Sequence, residues 1–99
     1  MVLSELLKSK REKKGLLLRE VASMIDVDTA LISKIEKGDR KPTKEQLLKY
    51  ANALEIDLQK LLILWHSEKI FQIVKDVDGA LSILKSVEMK LIETYKNKK

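Results

Sequence analysis

The feature that most constrains this chain is a short helical signal with both ends marked, inside the stretch DTALISKIEKGDRKP from Asp28 to Pro42. Asp28 stands where a carboxylate can accept hydrogen bonds from the free amides of a helix start and favour its positive end. Gly38 stands where a left-handed residue stops the helix. Ile32 and Ile35, with Glu36 one step on, share one side at helical spacing. The other side carries Thr29, Ala30, Ser33, Lys34 and Lys37, all small or cationic. Such a side lets another surface approach the backbone closely, and it suits a helix laid in a DNA groove.

The flanking residues turn this helix into part of a pattern. Val2 to Lys14 reads as a first helix with Leu3, Leu6 and Leu7 inward and Gly15 as its stop. Leu16 to Met24 reads as a second, with Leu18, Val21, Ala22 and Ile25 as its apolar set. Asp26-Val27-Asp28 then makes a turn, because Asp26 tolerates positive φ better than most residues, Val27 plugs the core and Asp28 caps the next helix. Two short helices joined by a tight turn are the helix-turn-helix pattern. Downstream, Gly38 to Pro42 is a polar basic loop, and Thr43-Lys44-Glu45-Gln46 is a capping box. A fourth helix from Lys44 to Leu54 is expected to bury Leu47, Leu48, Ala51 and Leu54. Asp57 caps a fifth from Leu58 through Trp65 toward Val74. Asp76 to Gly79 breaks the pattern, and Ala80 to Tyr95 gives a sixth helix whose stripe is Ala80, Leu81, Leu84, Val87, Leu91 and Tyr95. Lys96 to Lys99 is expected to fray. No strand signal, repeat or low-complexity segment interrupts the series.

Composition narrows the function. With 99 residues, 44% of them hydrophobic and 4% aromatic, the chain has room for one aliphatic-cored domain and an added element. A formal charge of +5 is compatible with an anionic partner and with a basic soluble surface alike. There is no cysteine, hence no disulfide framework or thiolate metal site, and a reducing compartment is expected. Leu58 to Leu64 is too short to span a bilayer, and the early mixture of acidic and basic residues gives no signal-peptide core, so the reading is cytoplasmic. One histidine, no glycine-rich phosphate loop and no carboxylate pair on a recognisable pocket wall argue against an enzyme, a metal or a cofactor. His66, beside Trp65, has no second donor and is given no role.

Arg11, then Glu20-Val21-Ala22, Ile32-Ser33-Lys34-Ile35-Glu36-Lys37-Gly38, Arg40, Pro42, and the Leu47 to Leu54 helix ending in Glu55-Ile56-Asp57 stand in the order and spacing of one family. Over about Leu3 to Leu62 the chain resembles the phage repressor and Cro-like (XRE-type) helix-turn-helix regulators. The resemblance implies an all-α fold: a five-helix lambda-repressor-like DNA-binding domain over 1–64, with a C-terminal helical extension over 65–99. It implies double-stranded DNA as partner, with the third helix in the major groove. Mapped onto this sequence, base contacts fall on Thr29, Ala30, Ser33 and Lys34, and phosphate contacts on Lys10, Arg19, Arg40, Lys41 and Lys44. The resemblance also pairs Glu36 with Arg11, a structural ion pair that a lone inward carboxylate would need.

The chain departs from the family where it places Leu17 and Leu18 in the positions of a small polar cap and a phosphate-contacting glutamine, and Asp26 in the position of a turn glycine. Leu31 stands where relatives are often polar. The lysines at 8, 10, 13 and 14 read equally as a nucleic-acid patch or as a solvated face, and only Lys10 gains from its family position.

The last third raises a second question, because a five-helix reader closes its core near Leu62 and the apolar residues beyond need cover. A short recognition helix touches few base pairs, so a two-fold dimer on an inverted repeat is expected. Trp65, Phe71, Leu84, Val87 and Leu91 are the expected homodimer interface; the alternative is that the sixth helix folds back on its own domain. The rival function is a protein-interaction module whose C-terminal helices hold a protein partner such as a toxin. Phage repressors, restriction-modification controllers and antitoxins all share this outline, and the sequence does not choose among them.

Overall fold

The computed structural model describes residues 2–98. Among them α1 (Leu3–Lys13), α2 (Leu18–Ile25), α3 (Thr29–Lys37), α4 (Lys44–Leu54), α5 (Leu58–Val74) and α6 (Ala80–Asn97) follow in order, with no strand. The first four all stop at a left-handed residue: Gly15, Asp26, Gly38 and Glu55. After α1, α2 and α3 the reversed chain returns hydrogen bonds to the last turn, as in Leu16 N to Arg11 O at 3.1 Å, Val27 N to Ala22 O at 2.9 Å and Asp39 N to Lys34 O at 2.9 Å. At Gly38 the φ of 81° is what calls for glycine, since an added Cβ would meet only Ser4 Oγ, at 3.7 Å. Asp26, at φ 59°, takes the same conformation without glycine, the short polar side chain tolerating it.

Helix starts are capped less uniformly. Thr43 Oγ1 accepts from Gln46 N at 3.1 Å while Gln46 Oε1 accepts from Thr43 N at 3.0 Å, the full reciprocal box. Asp57 Oδ1 accepts from Gln59 N at 3.2 Å. Leu17 has no acceptor, so α2 has only the returning half, Leu17 N to Glu20 Oε1 at 2.7 Å. This cap begins α2 at Leu18 rather than at the expected Leu16, because Gly15, Leu16 and Leu17 are spent on ending one helix and entering the next. Asp28 sits at the N-cap of α3 in extended backbone but its carboxylate accepts no cap bond. For α1 the acceptor comes from far along the chain: Leu3 N donates to Glu68 Oε2 of α5 at 2.6 Å.

Contacts group the chain into two units, one ending at Glu68 and the other beginning at Lys69, with α5 contributing to both. In the first unit α2 packs on α3 and α4, and α1 packs on α3 and α4. Leu7, Val21, Ile25, Ile32, Ile35, Leu47, Leu54 and Leu61 are fully enclosed. One inward assignment changes. α4 turns Leu47, Tyr50, Ala51 and Leu54 inward, at i, i+3, i+4 and i+7, and leaves Leu48 half exposed. The phenol Oη of Tyr50 is buried with no hydrogen-bond partner among the described residues. Burial, and then the nearby negative charge of Glu36, push its pKa far above the ordinary phenol value.

The second unit is different in kind. α6 has no buried residue, and its large apolar side chains range from Leu84, 38% exposed, to Leu81, 84% exposed. Lys96 and Asn97, expected to fray, continue α6; Lys99 lies outside the described residues.

Candidate nucleic-acid interface

α3 presents the expected face because two isoleucines fix its rotation. Ile32 and Ile35 are buried to within 1%, and at 100° per residue this leaves Thr29, Ala30, Ser33, Lys34 and Lys37 along the opposite side. Thr29, Ala30, Lys34 and Lys37 are exposed and Ser33 is half-buried. All four residues expected to read bases therefore lie on one continuous strip of helix surface. Leu31 is on the other side, half-buried and packed against the core.

Glu36 sits at the edge of this strip, and Arg11 of α1 meets it in a forked geometry. Arg11 Nε donates to Glu36 Oε2 at 2.7 Å and the Nη2 atom donates to Oε1 at 3.0 Å. Their side chains are 12% and 5% exposed. The bonded carboxylate raises the arginine pKa further, against the opposing effect of burial. Arg11 also has a partner that the sequence does not reveal: Nη1 donates to Leu16 O at 2.8 Å. One guanidinium thus locks the reading helix, the end of α1 and the entry to α2 together, with a planarity and donor count that lysine lacks.

Beside the pair lies a small cleft of about 150 Å³ lined by Lys8, Arg11, Leu18, Ser33, Glu36 and Lys37. Sequence patterning puts Lys37 on the outward side of α3 and Lys8 in a lysine cluster that reads equally as a nucleic-acid patch or a solvated face, and assigns neither a particular base or phosphate contact. Lys37 has a local signal, since it stands four residues after Ser33 on the outward side. Lys8 reaches the cleft only through the packing of α1 on α3.

The expected phosphate contacts separate into groups. Arg19, in the first turn of α2, and Arg40, in the loop after α3, are exposed, while Lys10 is half-buried. Lys44 opens α4 and borders an apolar groove of about 410 Å³ with Leu48, Leu58 and Leu62. Lys41 is differently engaged, because its Nζ donates to Trp65 O at 3.0 Å and lies 5.5 Å from the indole centroid.

Trp65 corrects an expectation. Instead of facing a second subunit it is 8% exposed within the first unit, and its Nε1 donates to Pro42 O at 2.8 Å. The indole fills the core with its ring and meets a loop carbonyl with its polar edge, a use of tryptophan that the pattern of polarity along α5 does not announce. The other four residues expected at an interface, Phe71, Leu84, Val87 and Leu91, are exposed in the single chain at 38–59%. Among the described residues no group of three His, Cys, Asp or Glu is placed to hold a metal, and no helix is long and apolar enough to cross a membrane.

A solvent-facing helix with small and cationic residues, braced from behind by a forked ion pair and preceded by a tight left-handed turn, is how a DNA-binding regulator of the helix-turn-helix class is built. Residues 7–61 match the family model described as Helix-turn-helix. The chain belongs to this family, in its XRE-type, phage repressor and Cro-like form, and is a DNA-binding transcriptional regulator. Among solved structures, the chain is similar to the clp gene regulator ClgR from Corynebacterium glutamicum, with 25% identity and a TM-score of 0.58 over 89% of this chain and 88% of that one. It is also similar to a chain of the SinR protein/SinI protein complex, with 20% identity and a TM-score of 0.57 over 94% of this chain and 99% of the other. At the latter identity the likeness is one of fold. No curated protein matches the chain in sequence.

Proposed function

We propose that the protein acts in the cytoplasm as a homodimeric repressor that reads an inverted-repeat operator, one α3 in each major groove. The observation that carries the reading is the α3 strip: Thr29, Ala30, Ser33 and Lys34 on the side opposite Ile32 and Ile35. In this role Lys34 donates to guanine O6 or N7, Thr29 uses its hydroxyl or methyl, Ala30 meets a thymine methyl and Ser33 serves either groove partner. Lys10, Arg19, Arg40 and Lys44 hold phosphates and set register, with Lys8 and Lys37 adding positive charge beside Ser33. Activity resides in binding, with no turnover and no cofactor.

The second unit supports the dimer. An 18-residue helix with no buried side chain is marginal in water by itself. Covering Leu84, Val87 and Leu91 with the same residues of a second copy would give a closed two-fold assembly, the symmetry that an inverted repeat asks for. The same apolar surface also supports a second reading, in which a different protein, such as a toxin, covers it.

Selection from a random duplex library followed by sequencing of the bound fraction tests the proposal. The expected result is an enriched inverted repeat with half-site centres about 10 base pairs apart. Recovery of no motif at moderate salt, together with a monomer in sedimentation at high protein concentration, would overturn it in favour of the partner-binding reading.

A further inference from the structure

The loop after α3 is fastened unevenly. Its first half is tied to the helix it leaves, through Gly38 N to Ile35 O at 3.1 Å, Asp39 N to Lys34 O at 2.9 Å and Arg40 N to Lys34 O at 3.3 Å. Its second half cannot continue this way, because Pro42 has no amide hydrogen to donate and the next backbone ties belong to the capping box at Thr43. The second half is held from α5 instead. Trp65 Nε1 donates to Pro42 O at 2.8 Å, Lys41 Nζ donates to Trp65 O at 3.0 Å, and the same ammonium stands 5.5 Å from the indole centroid. One residue therefore grips two consecutive loop residues, one by its side chain and one by its main chain. The indole itself is enclosed, and Arg40, the residue just before, is exposed.

We propose that Lys41 and Trp65 form a clasp that positions Arg40, and that Lys41 is a positioning residue whose charge is used inside the protein. An ammonium that left for a phosphate would surrender both a charge-assisted hydrogen bond and the face of an aromatic ring. The clasp instead holds the Arg40 backbone in one place before DNA arrives, so that less freedom is lost on binding. The phosphate contact of the loop is then Arg40 alone, and α5, to which no DNA contact is assigned, becomes part of the binding apparatus through Trp65. This inference rests on the DNA-binding reading above.

The test compares the full chain with its Lys41→Met, Arg40→Gln and Trp65→Phe variants on a random-sequence duplex over a series of salt concentrations. It adds hydrogen–deuterium exchange of the 38–41 amides without DNA. Each phosphate contact contributes about 0.9 to the slope of log affinity against log salt. Lys41→Met is expected to weaken binding about fivefold at fixed salt, as the loss of one hydrogen bond does, with the slope unchanged. Arg40→Gln is expected to reduce the slope by about one. Exchange at Asp39 to Lys41 is expected to rise in Lys41→Met and in Trp65→Phe. A slope reduced in Lys41→Met as in Arg40→Gln would place Lys41 on a phosphate and overturn the proposal. Unchanged exchange in Lys41→Met, which keeps the enclosed indole and so does not depend on Trp65→Phe folding, would overturn the clasp as well. If the wild-type chain binds no duplex at any salt, the DNA-binding reading and the positioning role fail together, and exchange alone decides whether the clasp exists.

Discussion

The two units of this chain use leucine and isoleucine in opposite ways. Up to Glu68, apolar side chains converge from five helices, and Leu7, Val21, Ile25, Ile32 and Leu61 have no contact with solvent. From Lys69 onward apolar side chains are again plentiful, yet Leu81, Leu84, Val87, Leu91 and Ile92 are between 38% and 84% exposed. Composition does not distinguish these regions; the availability of partners does. The first unit closes its core with its own elements, and the second carries large apolar side chains that its own elements leave exposed, the kind of patch that marks interaction surfaces.

The largest expected effect comes from charging that surface. The double substitution Leu84→Asp with Val87→Asp should leave a monomer in sedimentation and lower affinity for a two-half-site operator by roughly 10² to 10⁴-fold, since the second half-site no longer benefits from local concentration. The melting temperature of the first unit should be unchanged. A dimer that survived both charges would break the comparison.

Next comes the brace of the first unit. Arg11→Met should cost about 3 kcal/mol in urea denaturation, because it strands the 5% exposed Glu36 carboxylate and frees Leu16 O as well. An unchanged unfolding midpoint would mean that the pair is dispensable and that the core alone fixes α3. In the opposite direction, Tyr50→Phe should stabilise the chain by about 1 kcal/mol, as the phenol Oη is enclosed without a partner among the described residues. Destabilisation would reveal a hydrogen bond that forms in solution.

The smallest effect concerns the exposed contact between Lys14, which ends α1, and Glu55, which ends α4. A hydrogen bond and the charge of Lys14 lower the pKa of Glu55 in the folded chain. Its contribution is therefore present above the unfolded carboxylate pKa and is lost as pH falls through the lower folded value. Thermal melts of wild type and Glu55→Gln should differ slightly at neutral pH and converge in acid. A difference that persisted in acid would assign the effect to the backbone of the left-handed residue instead.

Local features of the first unit are legible from the sequence for a physical reason: they are decided within a few residues. The inward rotation of α3 follows from Ile32 and Ile35, the stop from Gly38, the turn from Asp26, and the α4 start from Thr43 and Gln46. The illegible features depend on residues far apart. Leu48 and Tyr50 compete for the inside of α4, and the winner is the one on the side that meets α1 and α2 rather than the more hydrophobic one. The place of Trp65 depends on a carbonyl 23 residues earlier, and the engagement of Lys41 depends on Trp65 in turn. The candidate reading face is therefore legible as a face, while the division of labour among the loop cations is not.

The bond from Leu3 N to Glu68 also sets a clock on synthesis. The two partners are 65 residues apart, so at about 5–20 residues per second Leu3 is made roughly 3 to 13 s before the residue that supplies its carboxylate. During that interval the reading helix, already translated, rests on a scaffold whose opening turn is uncapped. A nascent chain released early, before α5 is complete, would carry every base-facing residue and still lack the residue that fastens the beginning of the fold.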